Sequence, residues 1–203
     1  MTLQDFFQMY PKVALAFSGG VDSSFLLYMS LKCGADVRAY YVKTQFQPQF
    51  ELRDARKMAG CLKANLTVVK ADILESPEIA SNPADRCYYC KKTIISIIRQ
   101  KAADDGYGLL IDGTNASDCE EDRPGMRALG EMSVLSPLRE CGLTKDDIRK
   151  LSKEAGLFTW NKPDYSCLAT RIPAGEVITN KKLESTEIAE DYLHSCGFKD
   201  CRV

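Results

Sequence analysis

The segment SGGVDSS at residues 18 to 24 constrains the fold of this chain more than any other part of its sequence. It follows an apolar run from Lys12 to Phe17, which predicts a buried strand. It opens a stretch with apolar residues at helical spacing, from Asp22 to Cys33. Glycines let a backbone turn tightly and approach a ligand closely, and the free amides of a helix N-terminus favour anions. The segment therefore predicts a phosphate-binding loop, with a plain glycine turn as the alternative.

The serines of this segment add hydroxyl donors to the backbone amides. It is not a Walker A loop, because the Gly-Lys-Ser/Thr ending is absent, and it is not a GxGxxG fingerprint. The residues expected to bind phosphate are Ser18, Gly19, Gly20, Val21, Asp22, Ser23 and Ser24.

Strands and helices are expected to alternate along the chain. Further strands are predicted at Val37 to Val42, Leu66 to Lys70 and Gly108 to Ile111, and further helices at Gln49 to Cys61, Cys90 to Ala103, Thr144 to Glu154 and Leu183 to Cys196. This alternation predicts an α/β fold, a doubly wound parallel sheet with helices on both faces. Ligand-binding loops then lie at the carboxyl ends of the strands.

The character of the chain changes after residue 162. We expect one α/β domain over residues 1–162, then a loop region and the start of a smaller α+β domain over residues 163–203. A strand is expected to begin at Arg202 and Val203, so a continuation beyond the printed sequence is also expected.

Composition excludes some classes of function. The chain has 203 residues and a net charge of -1, which argues against bulk electrostatic capture of nucleic acid. No apolar run reaches the length of a membrane span, and the N-terminus lacks the features of a signal peptide, so a cytoplasmic location is expected. In that compartment, nine cysteines and one histidine indicate reduced thiols rather than a disulfide framework.

Two cysteine patterns are candidates for chemistry. Cys87 and Cys90 form a Cys-x-x-Cys pair, which can share a metal or form a redox couple. Two structural cysteines in a core are an equally good interpretation of that pair. Cys167 lies four residues before Arg171, and a nearby guanidinium favours the nucleophilic thiolate. The alternative there is a buried cysteine beside a surface arginine.

The phosphate-loop segment resembles that of the PP-loop family, the N-type ATP pyrophosphatases. The resemblance implies a HUP-like fold that binds ATP, adenylates a substrate oxygen and releases pyrophosphate. It also implies that Asp22 helps to hold Mg²⁺. Lys91 and Arg171 are candidates to neutralise phosphate charge. The adenine is expected over the ends of the first, second and fourth strands, beside Lys43 and the loop residues Asp112, Gly113, Thr114 and Asn115.

A more specific resemblance rests on several motifs in order. SGGVDS, DRCYYCK, DGTN-x2-D-x3-DRPG, E-x-x-V-x-SPL and SCLATRIP occur as in LarE-type proteins, from about Ala14 to Val203. These are ATP-dependent sulfur transferases that help to make the nickel-pincer nucleotide cofactor. The resemblance implies that a carboxylate of a pyridinium dicarboxylate mononucleotide is adenylated and converted into a thiocarboxylate.

Mechanism divides within that family. One branch sacrifices the cysteine that matches Cys167 and leaves dehydroalanine. Members with three cysteines resemble iron–sulfur enzymes, in which three thiolates leave one iron open for an extra sulfide. Cys87, Cys90 and Cys167 match the three-cysteine pattern, so a [4Fe–4S] cluster is expected.

The resemblance also implies a homo-oligomer, a hexamer in the best-understood members. Glu190 and Arg202 then match metal-binding and anion-binding residues near subunit contacts, although Glu190 is as well explained by a solvated helix face. Three other functions stay open. A tRNA-thiolating enzyme should bring a basic face, and an ammonia-dependent ligase of the NAD or GMP synthetase type needs no cysteine triad. A degenerate nucleotide-binding subunit would not need the intact phosphate loop. Neither tRNA nor a membrane is an expected partner.

Overall fold

Four parallel strands form a single sheet in the order β3-β2-β1-β4. The computed structural model describes residues 1–118, 124–198 and 201–203. The strands are β1 Lys12–Ala16, β2 Asp36–Lys43, β3 Asn65–Lys70 and β4 Leu110–Asp112. The helices are α1 Leu3–Met9, α2 Val21–Lys32, α3 Gln49–Leu62, α4 Pro77–Ala80, α5 Arg86–Asp104, α6 Pro124–Glu131, α7 Pro137–Glu140, α8 Lys145–Glu154 and α9 Asn180–Ser195, with a 3-10 helix at Leu168–Arg171.

The strand order reverses at β1, which pairs with β2 on one side and with β4 on the other. In open parallel sheets, the crevice for a ligand lies at such a switch point, outside the carboxyl ends of the strands. The loop after β1 is the predicted phosphate loop, and the loop after β4 begins at Gly113. The predicted α/β doubly wound fold is therefore confirmed, and its topology puts both predicted ligand loops side by side.

Apolar side chains alternate between the two faces of the sheet. Leu15 and Tyr41 belong to a core packed against α1, α2 and α3, whereas Ala14 and Tyr40 belong to a second core packed against α5 and α6. This alternation every second residue is the geometry of a strand. Because both faces of the sheet are buried, the sequence of β1 is a continuous apolar run.

Some element boundaries differ from those predicted. α5 begins at Arg86, four residues before the expected start, so both cysteines of the pair lie in its first turn. β4 is shorter than predicted and is centred later. α9 begins at Asn180, because the Thr179 hydroxyl caps it by accepting from the Lys182 amide. No strand forms over residues 201–203, where the amide of Val203 donates to Glu190 Oε1 at 3.1 Å instead of pairing with a strand.

A third apolar cluster joins the C-terminal segment to the sheet domain. Leu168, Ile172 and Leu183 pack with Phe46 and Ile79. Burial of these side chains seats the segment that carries Cys167 over the carboxyl ends of the strands. The division of the chain at residue 162 stays a prediction. Across the described residues, no helix is both long and apolar enough to cross a membrane.

Candidate active site

The predicted phosphate loop forms a tight turn between β1 and α2. Gly19 has φ +75°, and a Cβ built there would lie 3.0 Å from Ala55 Cα and Cβ in α3. Only glycine satisfies both the left-handed backbone and the close approach. Gly20 is the N-cap of α2 and has no side chain to accept from the first-turn amides. Those amides are therefore left to a ligand, and an anion is the partner they favour.

The three serines of the loop have different surroundings. The hydroxyls of Ser18 and Ser23 lie 3.0 Å apart and both side chains line the cavity above the loop. The Ser24 hydroxyl is fully buried and has no hydrogen-bond partner among the described residues. Sequence reasoning grouped all three as phosphate ligands, but the structure brings only Ser18 and Ser23 to the cavity.

The loop after β4 packs directly on the start of α2. A Cβ at Gly113 would lie 2.9 Å from the Ser23 amide nitrogen, so a side chain there would push the two loops apart. Asp112 accepts from the Thr114 hydroxyl at 2.7 Å and from the Ser136 hydroxyl at 2.7 Å, which fixes the turn. Asn115 Nδ2 donates to Asp22 Oδ1 at 3.3 Å and orients that carboxylate.

Lys145, which the sequence did not indicate, completes this side of the site. Its ammonium donates to Asp22 Oδ2 at 2.7 Å and to Asp164 Oδ1 at 2.8 Å. Burial raises the pKa of Asp22, while the hydrogen bond from Lys145 opposes that rise. Burial of Lys145 acts in the lowering direction, but the bonds to Asp164 and Asp22 outweigh it and raise the pKa of Lys145. The group is therefore an ammonium between two carboxylates.

These residues surround what we call the phosphate cavity, an open cavity of about 690 Å³. Its lining includes Ser18, Asp22, Ser23, Lys91, Asp112, Gly113, Thr114, Asn115, Lys145 and Asp164. Three of the seven predicted phosphate-loop residues, Ser18, Asp22 and Ser23, thus meet the β4 loop at one place. Lys43 does not join them, because its ammonium donates to the carbonyls of Thr44 and Gln47 and its side chain lines a separate cavity.

A second cavity of about 330 Å³ adjoins the first, and we call it the cysteine cavity. Cys87, Cys90 and Cys167 all line it, although Cys167 is far from the other two in the chain. Ala16, Ser18 and Lys91 line both cavities. A nucleotide bound at the phosphate loop would therefore lie next to the three thiols.

The arginine beside the Cys167 sulfur is not the one that the sequence suggested. Arg86 is buried, and its Nη1 lies 3.8 Å from Cys167 Sγ. Asn82 Oδ1 accepts from Arg86 Nε at 3.0 Å and holds the guanidinium in place. The sequence indicates Arg171 because it is only four residues from Cys167. Arg86 is 81 residues from Cys167, and only the folded chain brings the two side chains together.

Arg171 instead has a structural role. It donates to Glu190 through Nε at 2.7 Å and through Nη2 at 3.1 Å, and both side chains are only 3% exposed. Arg171 Nη1 also donates to the Ser166 carbonyl at 2.7 Å. Glu190 additionally accepts from the Tyr165 hydroxyl, so its oxygens are occupied by protein groups. This network fixes the backbone just before Cys167 rather than facing the phosphate cavity.

Glu51 is a further residue that sequence reasoning missed. It lines the cysteine cavity, and burial raises its pKa to about 7. Burial likewise raises the pKa of Cys90 to about 12, with Cys167 and Cys87 nearby acting in the same direction. Arg86 and Lys91 act in the opposite direction but do not outweigh burial, so the Cys90 thiol is neutral at physiological pH.

The side chains around the two cavities fit Mg²⁺ and an iron–sulfur cluster, the two groups that the sequence pattern implies. Asp22 offers carboxylate oxygens beside the free amides of α2, which suits Mg²⁺ bound together with phosphates. Three thiols around one cavity suit iron–sulfur chemistry, with one ligand fewer than the usual four. Within the described ranges, no three His, Cys, Asp or Glu side chains are grouped closely enough to hold a single metal ion. A cluster is several atoms across and does not need such a tight group.

Two predicted features lie outside the described residues. Cys119 and the Asp122–Arg123 pair of the DRPG motif fall in the undescribed residues 119–123. Seven of the described cysteines are free thiols, namely Cys33, Cys61, Cys87, Cys90, Cys141, Cys167 and Cys196.

A doubly wound sheet with an anion-binding loop after β1, facing a polar loop after β4, defines a nucleotide-binding protein of the PP-loop class. The model of the family described as Thiamine biosynthesis protein (ThiI) matches residues 10–192, and the chain belongs to that family. The predicted membership of the PP-loop superfamily is thereby confirmed, as is the predicted enzyme class, an ATP-dependent sulfur transferase. ATP and Mg²⁺ are the cofactors that this class uses.

Individual relatives extend over nearly the whole chain. It is 35% identical over 194 residues to the pyridinium-3,5-bisthiocarboxylic acid mononucleotide synthase of Lactiplantibacillus plantarum, covering 95% of this chain and 70% of that protein. It is 34% identical over 203 residues to the uncharacterized protein slr1717 of Synechocystis sp., covering 99% and 75%. The tRNA-specific 2-thiouridylase MnmA of Thermotoga petrophila is more distant, at 24% over 230 residues, covering 90% and 62%.

Proposed function

We propose that this enzyme adenylates a carboxylate of a pyridinium dicarboxylate mononucleotide and converts it into a thiocarboxylate, for the nickel-pincer nucleotide cofactor. The observation that carries the proposal is the shared wall of the two cavities, where Ser18 and Lys91 face both. An acyl group activated at the phosphate loop would need to move little to meet a thiol. The 35% identity to a synthase of a bisthiocarboxylic acid mononucleotide supports the choice of substrate.

The first chemical step is adenylation. A substrate carboxylate oxygen bonds to the α-phosphorus of ATP, and the bond from that phosphorus to the bridging oxygen breaks, which releases pyrophosphate. The amides at the start of α2 and the ammonium of Lys91 would stabilise the charge that develops on the phosphates. Asp22 would hold Mg²⁺, which neutralises phosphate charge when bound.

In the second step, a sulfur nucleophile bonds to the acyl carbon and AMP leaves as the carbon–oxygen bond breaks. We propose that Cys87, Cys90 and Cys167 would hold a [4Fe–4S] cluster, which would carry the sulfide that the reaction consumes and would take up a fresh sulfide from solution for each turnover. Arg86, whose Nη1 lies 3.8 Å from Cys167 Sγ, would balance part of the negative charge of the ligating sulfurs.

The adenylation half of this proposal is tested by Asp22→Ala. Pyrophosphate release from ATP and the dicarboxylate substrate should fall at least about a hundredfold, as for the loss of a charge-stabilising group. Asp146→Ala, an exposed carboxylate on α8, is the matched control and should release pyrophosphate at the normal rate. Unchanged pyrophosphate release in Asp22→Ala would contradict the assignment of the phosphate cavity.

We further propose that the enzyme is a homo-oligomer. Ile188 and Tyr192, one turn apart on α9, are 70% and 68% exposed, and Phe198 is 59% exposed. Large apolar side chains on one helix face are suited to a subunit contact. Light scattering that gives the mass of a monomer at high protein concentration would contradict this part of the proposal.

A further inference from the structure

Lys145 links three segments of the site. Its ammonium lies 2.7 Å from Asp22 in α2 and 2.8 Å from Asp164 in the segment that leads to Cys167. Its backbone amide donates to the Ser117 hydroxyl in the loop after β4 at 3.0 Å. The Lys145 side chain is 23% exposed, so this position, at the start of α8, is partly shielded from water.

The Asp22 carboxylate has both oxygens occupied by protein donors. Oδ2 accepts from Lys145 and Oδ1 accepts from Asn115 Nδ2. Each carboxylate oxygen keeps a second lone pair, but a Mg²⁺ ion bound at Oδ2 would lie beside the Lys145 ammonium, which is 2.7 Å from that oxygen, and the two positive charges would repel each other. Lys145 carries a positive charge and lies on a long flexible side chain, which makes it the donor that a cation would displace.

A displaced Lys145 would not lack partners. Its pair with Asp164 is easily broken, because the Asp164 side chain is 74% exposed and such ion pairs contribute little. Arg149 Nη2, 3.8 Å from Asp164, would remain beside that carboxylate. Phosphate oxygens in the same cavity are strong acceptors for an ammonium.

We propose that Lys145 is a positioning residue that exchanges with magnesium: it holds Asp22 in the nucleotide-free chain and moves to the phosphates when Mg²⁺–ATP binds. The inference rests on the proposed ATP site and adds a residue to it. Lys145 then competes with the free metal ion for Asp22 but stabilises the bound metal–nucleotide complex. The same substitution should therefore have opposite effects on the two ligands.

The first measurement uses Mn²⁺ as a probe in place of Mg²⁺, with free Mn²⁺ followed by electron paramagnetic resonance on the nucleotide-free chain. Lys145→Met should bind Mn²⁺ about fivefold to tenfold more tightly, because the ammonium no longer competes for Asp22. Lys145→Arg should stay close to the unsubstituted chain. Lys150→Met, exposed on the same helix, removes an equal charge and should leave the affinity unchanged. Adding Asp22→Asn to Lys145→Met should abolish the gain.

The second measurement uses Mg²⁺ with α,β-methylene-ATP, which cannot be cleaved at the reacting bond, and AMP as the comparison. Lys145→Met should bind the triphosphate analogue about tenfold more weakly and AMP as the unsubstituted chain does. Tighter Mn²⁺ with weaker triphosphate is a pattern that a merely structural lysine would not produce. Thermal unfolding of each variant confirms that the chain is folded.

Equal Mn²⁺ affinity in Lys145→Met and the unsubstituted chain would overturn the exchange. So would a gain that persists when Asp22→Asn is added, or weakening of both ligands together. Failure of the unsubstituted chain to bind the triphosphate analogue is a separate result. It would contradict the proposed function, and this inference with it, whatever the Lys145 variants do.

Discussion

Glu51 lines the cysteine cavity and has no hydrogen bond to any described residue. Burial raises the pKa of its carboxyl from the ordinary value of 4.5 to about 7, while Lys162 acts in the lowering direction. A carboxyl in this state can accept or release a proton near neutral pH beside three thiols. At the residue scale this is the clearest proton-handling group of the site.

The raised pKa of Glu51 predicts a pH-dependent stability. A carboxyl whose pKa is higher in the folded chain stabilises folding below its unfolded pKa, and that contribution is lost as pH rises through the folded value. The unsubstituted chain should therefore lose about 2 kcal/mol of unfolding free energy between pH 4.5 and about 7 relative to Glu51→Gln. Urea unfolding across this range measures the difference, and Glu154→Gln, exposed on α8, is the control. Parallel stability curves for Glu51→Gln and the unsubstituted chain would exclude a titrating Glu51.

The pairing of Arg171 with Glu190 joins two elements, the 3-10 helix after Cys167 and α9. Because both side chains are 3% exposed, Arg171→Met should leave a buried unpaired carboxylate and cost about 3 to 5 kcal/mol of unfolding free energy. The double variant Arg171→Met with Glu190→Leu should recover part of that loss, since no charge is left buried. Denaturant unfolding gives all three values. The exposed pair of Lys182 and Glu176 is the control, and Lys182→Met should cost under about 1 kcal/mol.

At the same scale, the sequence predicts some elements well and others poorly for a physical reason. β1 and α2 are recognisable because an apolar run and helical spacing meet at glycines, and the Thr144 cap of α8 is a local signal that the structure reproduces. The short helices α4 and α7 have four residues each, too few for any periodicity. They gain their stability from contacts distant in the chain.

The candidate site shows the same limit. Its glycines and serines stand together in the sequence, so the phosphate loop is visible there. Lys145 is 123 residues from Asp22, and Arg86 is 81 residues from Cys167, so neither contact has a local pattern. Proximity in sequence favoured Arg171 as the partner of the thiol, whereas packing of the third apolar cluster seats Cys167 against α5.

At the scale of the whole molecule, the parallel sheet brings the residues of the site together. The loops after β1 and β4, the first turn of α5 and the segment before α9 all meet outside the carboxyl ends of the strands. Because all four parallel strands end at this edge, residues far apart in the chain form one continuous wall. The cysteines are thereby sorted into two groups, those on the wall and those away from it.

That sorting predicts which cysteines matter. Serine at any position of the first group should remove iron, sulfide and sulfur transfer together, because three thiolates are already one fewer than a cluster usually takes. Serine in the second group should leave all three unchanged. The first group is Cys87, Cys90 and Cys167, and the second is Cys33, Cys61, Cys141, Cys196 and Cys201, while Cys119 is assigned to neither.

Anaerobic purification with iron and sulfide analysis measures the cluster, at about four irons per chain when a [4Fe–4S] centre is full. Mass spectrometry after several turnovers then examines Cys167. An intact residue is the expected result, because a cluster that supplies the sulfur leaves its ligands unchanged. Loss of the sulfur atom to leave dehydroalanine would show the sacrificial route instead, since ordinary cysteine oxidation retains sulfur at every stage. Normal sulfur transfer by Cys167→Ser would contradict both routes, because each of them requires the Cys167 sulfur.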